Sequence, residues 1–326
     1  MRVLVAGATG LIGQALLPLL RARGHHVTAL VRVPPGPLWS TPPDQIVVAD
    51  AMDPAATRAA VLAAAPEVVV HQMTALRTPA GERPEEALAR TAALRTKGTA
   101  NLLDAARTAG ARRIVAQSIA FATEPPAEPD AGTAALDEDA PLYRDAPDES
   151  WATSVRAVAE LERLVLGDPA LPGVVLRYGM LFGSGTRYDP TGLVAASLRA
   201  GRMPIPGTGG GVTSFVSVAD AAVATVPAVE GADTGMFNIV DDEPAPANVW
   251  LPEYARQLGG PAPRVVPPEL AQRLLGWFTT YQLTRLAGAS NERARTRLGW
   301  RPTVSWRTGL AAAGNAAPVA DSDVAR

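Results

Sequence analysis

The first residues carry the feature that most restricts the fold of this chain. An apolar run, Met1–Val5, leads directly into the sequence Val-Ala-Gly-Ala-Thr-Gly-Leu-Ile-Gly at residues 5–13. Gln14–Arg23 then continues as an amphipathic helical pattern, and Gly24 is placed to end it. A buried strand, a tight glycine turn and a helix N-terminus together form a binding site for a pyrophosphate, because the helix presents free N–H groups to the anion.

The three glycines have separate expected roles in this turn. Gly7 takes the backbone angles of the turn, Gly10 lets the main chain approach the phosphates, and Gly13 lets the helix pack close to the strand. The alternative is an ordinary strand–helix turn with chance glycines. The turn therefore predicts a bound dinucleotide, contacted by the loop residues Gly7, Thr9, Gly10, Leu11, Ile12 and Gly13.

Composition excludes several other classes of protein. Of the 326 residues 47% are apolar, so a large core can form, and a net charge of −2 argues against a nucleic-acid partner. The chain has no cysteine, which removes thiolate metal sites and a cysteine nucleophile, and the three histidines are badly spaced for a metal site. Without a signal peptide or about 18 consecutive apolar residues, a cytoplasmic protein with no membrane contact is expected.

Strand and helix patterns alternate through the first half of the chain, which predicts a parallel sheet covered on both faces. The predicted strands are Arg2–Ala6, His26–Val31, Gln45–Ala49, Glu67–His71, Arg113–Ser118 and Val174–Arg177; the main predicted helices are Gly10–Arg23, Pro54–Ala64, Glu85–Ala109 and Ser150–Leu166. The fold class is therefore α/β, with a Rossmann-type doubly wound parallel sheet over 1–177 and a smaller, partly interleaved C-terminal substrate lobe over 178–312. Residues 313–326 are expected to be a disordered tail.

Several ordered motifs follow the glycine turn. They are Asp50 after the third strand, Gly98-Thr99-Ala100-Asn101-Leu102-Leu103, Phe215–Ala222, Phe237-Asn238-Ile239 and Leu298-Gly299-Trp300-Arg301-Pro302. With these motifs the chain resembles the extended short-chain dehydrogenase/reductase family, the NAD-dependent epimerase/dehydratase group, over roughly residues 1–312. The resemblance implies a nicotinamide cofactor that is also contacted by Asp50, Ala51, Met73 and Gly179. It leaves a homodimer open, since the helices that form the dimer contact in the family are present.

The end of the second strand bears on the choice of cofactor. A carboxylate there would bind the ribose hydroxyls of NAD, but this strand ends in Leu30-Val31-Arg32. Arg32 offers a planar, charged fork that suits the 2′-phosphate of NADP, so NADP is predicted and NAD stays open. The alternative is a solvated arginine at a strand end.

The catalytic pair of the resembled family, Tyr-x-x-x-Lys, is missing. The only lysine is Lys97, and none of the five tyrosines is followed by lysine four residues later. Arg95 stands where the family often has asparagine. The two ways of aligning the helix after the fifth strand put the tyrosine and lysine positions at Ser154 and Val158, or at Ala152 and Arg156.

Other residues are therefore the candidates for chemistry. Ser118 would polarise a substrate oxygen or cap local backbone, Tyr178 or Tyr143 would donate a proton, and Arg95 or Arg156 would bind an anionic substrate or the cofactor ribose. We expect an atypical NADP(H)-dependent oxidoreductase or epimerase-like protein acting on a small, moderately apolar carbonyl or enone. The alternative is an NADP-binding protein without hydride transfer: a sensor, a structural subunit, or a non-redox isomerase or cyclase.

Overall fold

The computed structural model of the chain describes residues 1–34, 36, 38–76, 83–127 and 135–312, so the predicted tail lies outside the described residues. The strands, in chain order, are β1 (Arg2–Ala6), β2 (His26–Val31), β3 (Gln45–Val48), β4 (Val68–His71), β5 (Arg113–Ile119), β6 (Gly173–Tyr178), β7 (Met180–Phe182), β8 (Ile205–Pro206), β9 (Val212–Thr213), β10 (Phe215–Ser217), β11 (Gly235–Ile239), β12 (Ala245–Pro246) and β13 (Val265–Val266). The helices are α1 (Leu11–Ala22), α2 (Pro54–Ala64), α3 (Pro84–Ala93), α4 (Thr99–Thr108), α5 (Glu149–Leu166), α6 (Leu193–Arg199), α7 (Val218–Glu230), α8 (Ala247–Gln257), α9 (Pro268–Leu275), α10 (Trp277–Thr284), α11 (Glu292–Arg297) and α12 (Trp306–Ala312).

Within these residues, seven parallel strands form one sheet in the order β11-β6-β5-β4-β1-β2-β3. The strand order reverses at β1 and β4, and ligands of such sheets bind in the crevice at the carboxyl ends of the strands there. Apolar residues of α1 and α7 cover one face of the sheet, and those of α2, α4 and α5 cover the other. The predicted Rossmann-type doubly wound fold is confirmed.

The segment after residue 178 contributes to both parts of the molecule. Its strand β11 pairs with β6 at the edge of the main sheet, and α7 packs on α1. The short strands β7, β8, β10 and β12 and the helices α6, α8 and α12 contribute to a separate aromatic core that includes Phe215, Trp250 and Trp306. The chain therefore leaves the main sheet, re-enters it once, and then completes the smaller lobe.

The helix expected over Glu85–Ala109 has an irregular centre. It consists of α3, a π-helical turn at Leu94–Gly98 and α4. A π turn adds one residue to a helical turn and is frequent at functional sites. No helix within the described residues is long and apolar enough to cross a membrane.

Candidate functional site

The glycine turn has the geometry that a pyrophosphate needs. Gly7 has φ +92°, and a Cβ there would lie 2.5 Å from the carbonyl carbon of Gln72, at the end of the neighbouring strand β4. A Cβ on Gly13 would lie 2.3 Å from the Gly7 carbonyl oxygen, so α1 can approach β1 only with glycine at this position. Gly10 caps α1 without a side-chain hydrogen bond, which leaves the first N–H groups of the helix for a ligand.

Two side chains that the sequence did not single out hold this turn. Trp39 Nε1 donates a hydrogen bond to the Ala8 carbonyl (3.0 Å), and Gln14 Nε2 donates to the Thr9 carbonyl (2.8 Å). These bonds fix two carbonyl groups of the turn. The Gly10 N–H is engaged by the Gly7 carbonyl (3.0 Å), so the N–H groups of the first turn of α1 are the ones left for an anion. The signal in the sequence is weak, because Trp39 lies 31 positions from Ala8.

The other predicted cofactor residues follow the carboxyl ends of the strands. Arg32 follows β2 directly and is exposed, and Asp50 is exposed after β3. Ala51 and Met73 are buried. Their carbonyl groups accept hydrogen bonds from Asn101 Nδ2 (2.9 Å) and Gln117 Nε2 (3.2 Å). Asn101 belongs to one of the ordered motifs of the sequence, whereas Gln117 was not predicted.

Gly179, also predicted at the cofactor, lies in a tight crossing of main chains. A Cβ there would meet the Ser214 carbonyl oxygen at 2.5 Å and the Val240 side chain at 2.9 Å. This close packing is enough to require glycine at position 179, whether or not a ligand binds there.

Ser118 belongs to a buried polar network. Its Oγ donates to Glu162 Oε1 (2.8 Å), and the same carboxylate accepts two hydrogen bonds of 2.7 Å from Arg177. Arg177 also donates to the Glu138 carbonyl (3.0 Å), which ties the segment after β5 to the sheet. With its proton engaged and only 3% exposure, Ser118 has the contacts of a structural residue.

Arg156 lies on the outer face of α5. Its guanidinium pairs with Glu149 and donates to the Arg144 carbonyl, and the residue is exposed. The inner face carries Ser154 and Val158, both buried, with Ser154 Oγ donating to the Ser150 carbonyl (3.0 Å). The Arg156 guanidinium therefore faces the surface, where its main-chain partner is the residue directly after Tyr143.

Tyr178 is the last residue of β6, and its side chain is buried between the sheet and α7. Thr225 Oγ1 donates to the Ala221 carbonyl, so the Tyr178 hydroxyl donates to Thr225 (2.9 Å) and accepts from Gln72 Nε2 (3.0 Å). Burial raises the pKa of Tyr178 to about 12, and the residue is 2% exposed. These contacts favour a structural role over proton donation.

Tyr143 lies in a different environment, an aromatic cleft of about 270 Å³ between the segment after β5 and the helices α9 and α10. Its ring is 5.7 Å from that of Tyr281, which stacks on Trp277 at 5.0 Å. Arg285 also lines this cleft. Such a wall of rings suits a flat, apolar ligand.

Arg95 lies in the π-helical turn, which packs against α5. It is 8% exposed, and burial lowers the pKa of its guanidinium to about 10. His71, at the end of β4, accepts from the Met73 N–H and shares a 3.0 Å hydrogen bond with Thr99. Burial, aided by the charge of Arg95, lowers the pKa of His71 to about 4, so the imidazole is neutral near pH 7.

Comparisons with known proteins agree with this geometry. A model of the NAD dependent epimerase/dehydratase family matches residues 3–239. The 3-diazoavenalumate denitrifying reductase of a Streptomyces species is 60% identical over 311 residues, 95% of this chain and 99% of that protein. The UDP-glucose 4-epimerase of Mycolicibacterium smegmatis is 28% identical over 95% of this chain and 96% of its own length.

A solved structure supports the same assignment. The UDP-glucose 4-epimerase of Thermus thermophilus in complex with NAD matches with a TM-score of 0.70 at 26% identity, over 95% of this chain and 97% of that one. The predicted NAD(P)-dependent enzyme of oxidoreductase or epimerase type is thus confirmed at that level. The chain is a member of the NAD-dependent epimerase/dehydratase family.

Proposed function

We propose that this protein is an NADPH-dependent reductase that replaces the diazonium form of a diazo group on a small carboxylate substrate by hydrogen and releases N₂. The identity of 60% to a 3-diazoavenalumate denitrifying reductase, over nearly the full length of both chains, supports this reaction class. That name specifies a diazo group, its loss by reduction, and a carboxylate.

The absence of the Tyr-x-x-x-Lys pair is the main observation in favour of this reaction. Reduction of a carbonyl leaves negative charge on oxygen, and a proton donor must neutralise it. Replacement of a diazonium group by hydrogen creates no alkoxide. The nicotinamide, when bound, supplies a hydride whose electron pair forms the new C–H bond, while the electrons of the broken C–N bond leave with neutral N₂.

The side chains at the corresponding positions agree with a reaction that needs no proton donor. In one alignment these are Ser154 and Val158, both buried on α5, with the Ser154 hydroxyl engaged by the main chain. In the other they are the buried Ala152 and the exposed Arg156, neither of which donates a proton near neutral pH. The hydroxyls of Ser118 and Tyr178 are engaged as well, by Glu162 and Thr225. In such a site the protein binds and orients the substrate and excludes water, and no side chain takes part in forming or breaking bonds.

The residues around the glycine turn fit a dinucleotide. A Cβ at Gly7 or Gly13 would strike main-chain atoms, so the close approach of strand and helix that a pyrophosphate requires is built into these positions. Arg32, exposed after β2, would bind the 2′-phosphate of NADP. The aromatic cleft at Tyr143 and Trp277 would hold the flat part of the substrate.

The test uses the diazonium salt of meta-aminocinnamic acid, with cinnamic acid as the expected product. We expect N₂ release and NADPH consumption in equal amounts, at a rate above that of the enzyme-free mixture. NADPH carrying deuterium at either of its C4 positions separates the two routes. The enzyme takes the label from one position only, whereas spontaneous reduction takes it from both.

A chain that binds NADPH but gives no N₂ above the enzyme-free rate contradicts the proposal and favours the alternative without hydride transfer. Turnover of aldehydes, ketones or enones under the same conditions, with no turnover of the diazonium salt, favours the carbonyl or enone substrate expected from the sequence.

A further inference from the structure

Arg95 is a buried cation whose charge is not balanced by a contact within the described residues. It is 8% exposed, and in this part of the chain no hydrogen bond or ion pair involves its guanidinium. A guanidinium carries five N–H donors in a planar fork and stays charged at neutral pH. None of its nitrogens is among the fully enclosed side-chain atoms that lack a partner, so the N–H groups of this largely buried fork remain accessible and are available to bind an anion.

The carboxylate that attracts Arg95 is already engaged by another arginine. Glu162 accepts both of its short ion-pair bonds from Arg177, at 2.7 Å each. The attraction of Glu162 acts on Arg95 only at longer range, so Arg95 and Arg177 share one carboxylate.

The position of Arg95 connects it with the ligand crevice. Its charge acts on His71, the last residue of β4, where the sheet has its topological switch. The π-helical turn that carries Arg95 packs against α5, the helix that provides the catalytic pair in the resembled family. The neutral His71 adds no charge there, and its ring nitrogens are engaged by Thr99 and the Met73 N–H.

We propose that Arg95 is the anion receptor of the substrate site and binds the substrate carboxylate through its guanidinium fork. The identification of that anion as a substrate carboxylate rests on the proposed function. A carboxylate matches the fork with two parallel hydrogen bonds, whereas the phosphates of a dinucleotide are provided for at the glycine turn. Arg95 thereby selects anionic substrates and fixes the end of the molecule opposite the reacting group.

The test measures binding of two unreactive probes, cinnamate and its neutral isostere cinnamamide, to the NADP⁺-loaded protein by titration calorimetry. We expect the wild type to prefer cinnamate. Arg95→Gln should weaken cinnamate binding by about thirtyfold and leave cinnamamide binding nearly unchanged, as for loss of hydrogen bonds to a charged group. Arg95→Lys should keep part of the preference. Arg163→Gln, which removes an exposed α5 arginine paired with Glu160, is the matched control and should change neither.

Several outcomes would overturn the inference. Equal binding of both probes by the wild type does so without any variant. Equal weakening of both probes by Arg95→Gln would make Arg95 structural, and a loss of NADP⁺ affinity with an unchanged probe ratio would assign it to the cofactor. Removal of the preference by Arg285→Gln instead would move the carboxylate to the aromatic cleft.

The result is separable from the proposed function. A preference for cinnamate without N₂ release would support the role of Arg95 as anion receptor and contradict the proposed reaction. N₂ release with no carboxylate preference keeps the reaction and rejects the receptor.

Discussion

Replacement of Arg95 by methionine is expected to make the ligand-free protein more stable. Burial lowers the pKa of this guanidinium from 12.5 to about 10. One pKa unit corresponds to about 1.4 kcal/mol, so the charged form is disfavoured in the folded state by about 3 kcal/mol. The unfolded chain holds the proton more tightly, and this penalty therefore applies fully at every pH below about 10.

Methionine removes the charge and keeps an unbranched apolar side chain that fits irregular space. Allowing for imperfect packing, we expect the free energy of unfolding to rise by about 2 kcal/mol. Urea denaturation of the ligand-free wild type and variant, followed by circular dichroism, measures the difference. Arg163→Met on the exposed face of α5 serves as the control and should stay within about 0.5 kcal/mol of the wild type.

Ligand binding should reverse the order of stability, so that the wild type becomes more stable than Arg95→Met. Saturating cinnamate with NADP⁺ stabilises the wild type by mass action, and the variant gains less because it binds cinnamate weakly. A lower urea midpoint for ligand-free Arg95→Met would refute the reasoning, because it would mean that the guanidinium contributes stabilising contacts inside the folded protein.

Three further results are expected. Gly7→Ala puts a Cβ 2.5 Å from the Gln72 carbonyl carbon at φ +92°, so NADPH affinity in a fluorescence titration should fall more than about tenfold; unchanged affinity would contradict the role of the turn. Arg32→Ala should weaken NADPH binding by about tenfold and NADH binding much less, and equal losses would reject the 2′-phosphate contact. Burial raises the pKa of Asp241 from 3.8 to about 7, so the stability that its protonated form contributes is lost as pH rises through that range. Asp241→Asn should therefore gain up to about 4 kcal/mol over the wild type between pH 4 and pH 8 in denaturation experiments, and parallel pH profiles would contradict this.

The fold and the cofactor turn could be predicted because their signals are local. A strand, three spaced glycines and a helix need only neighbouring residues, and the steric reason for Gly7 and Gly13 is a contact with main chain that any side chain would meet. The ordered motifs across the chain then predicted the family, which the comparisons confirm.

The proposed chemistry depended on which way particular side chains face. The sequence places Tyr178 at the end of a strand and Arg156 on a helix, but the packing of α7 encloses the first and α5 turns the second outward. Trp39 reaches the glycine turn over 31 positions, a contact that no local pattern encodes.

The sequence by itself determined the strand–turn–helix unit, the parallel α/β class and the loss of the Tyr-x-x-x-Lys pair, since each follows from short spacing or from residue identity. Only the tertiary structure decided that Arg95 is buried and, among the residues it describes, unpaired, while Arg156 is exposed and paired. Both are arginines on helices, and the difference arises because burial and the engagement of Glu162 by Arg177 are set by elements that are distant in the chain.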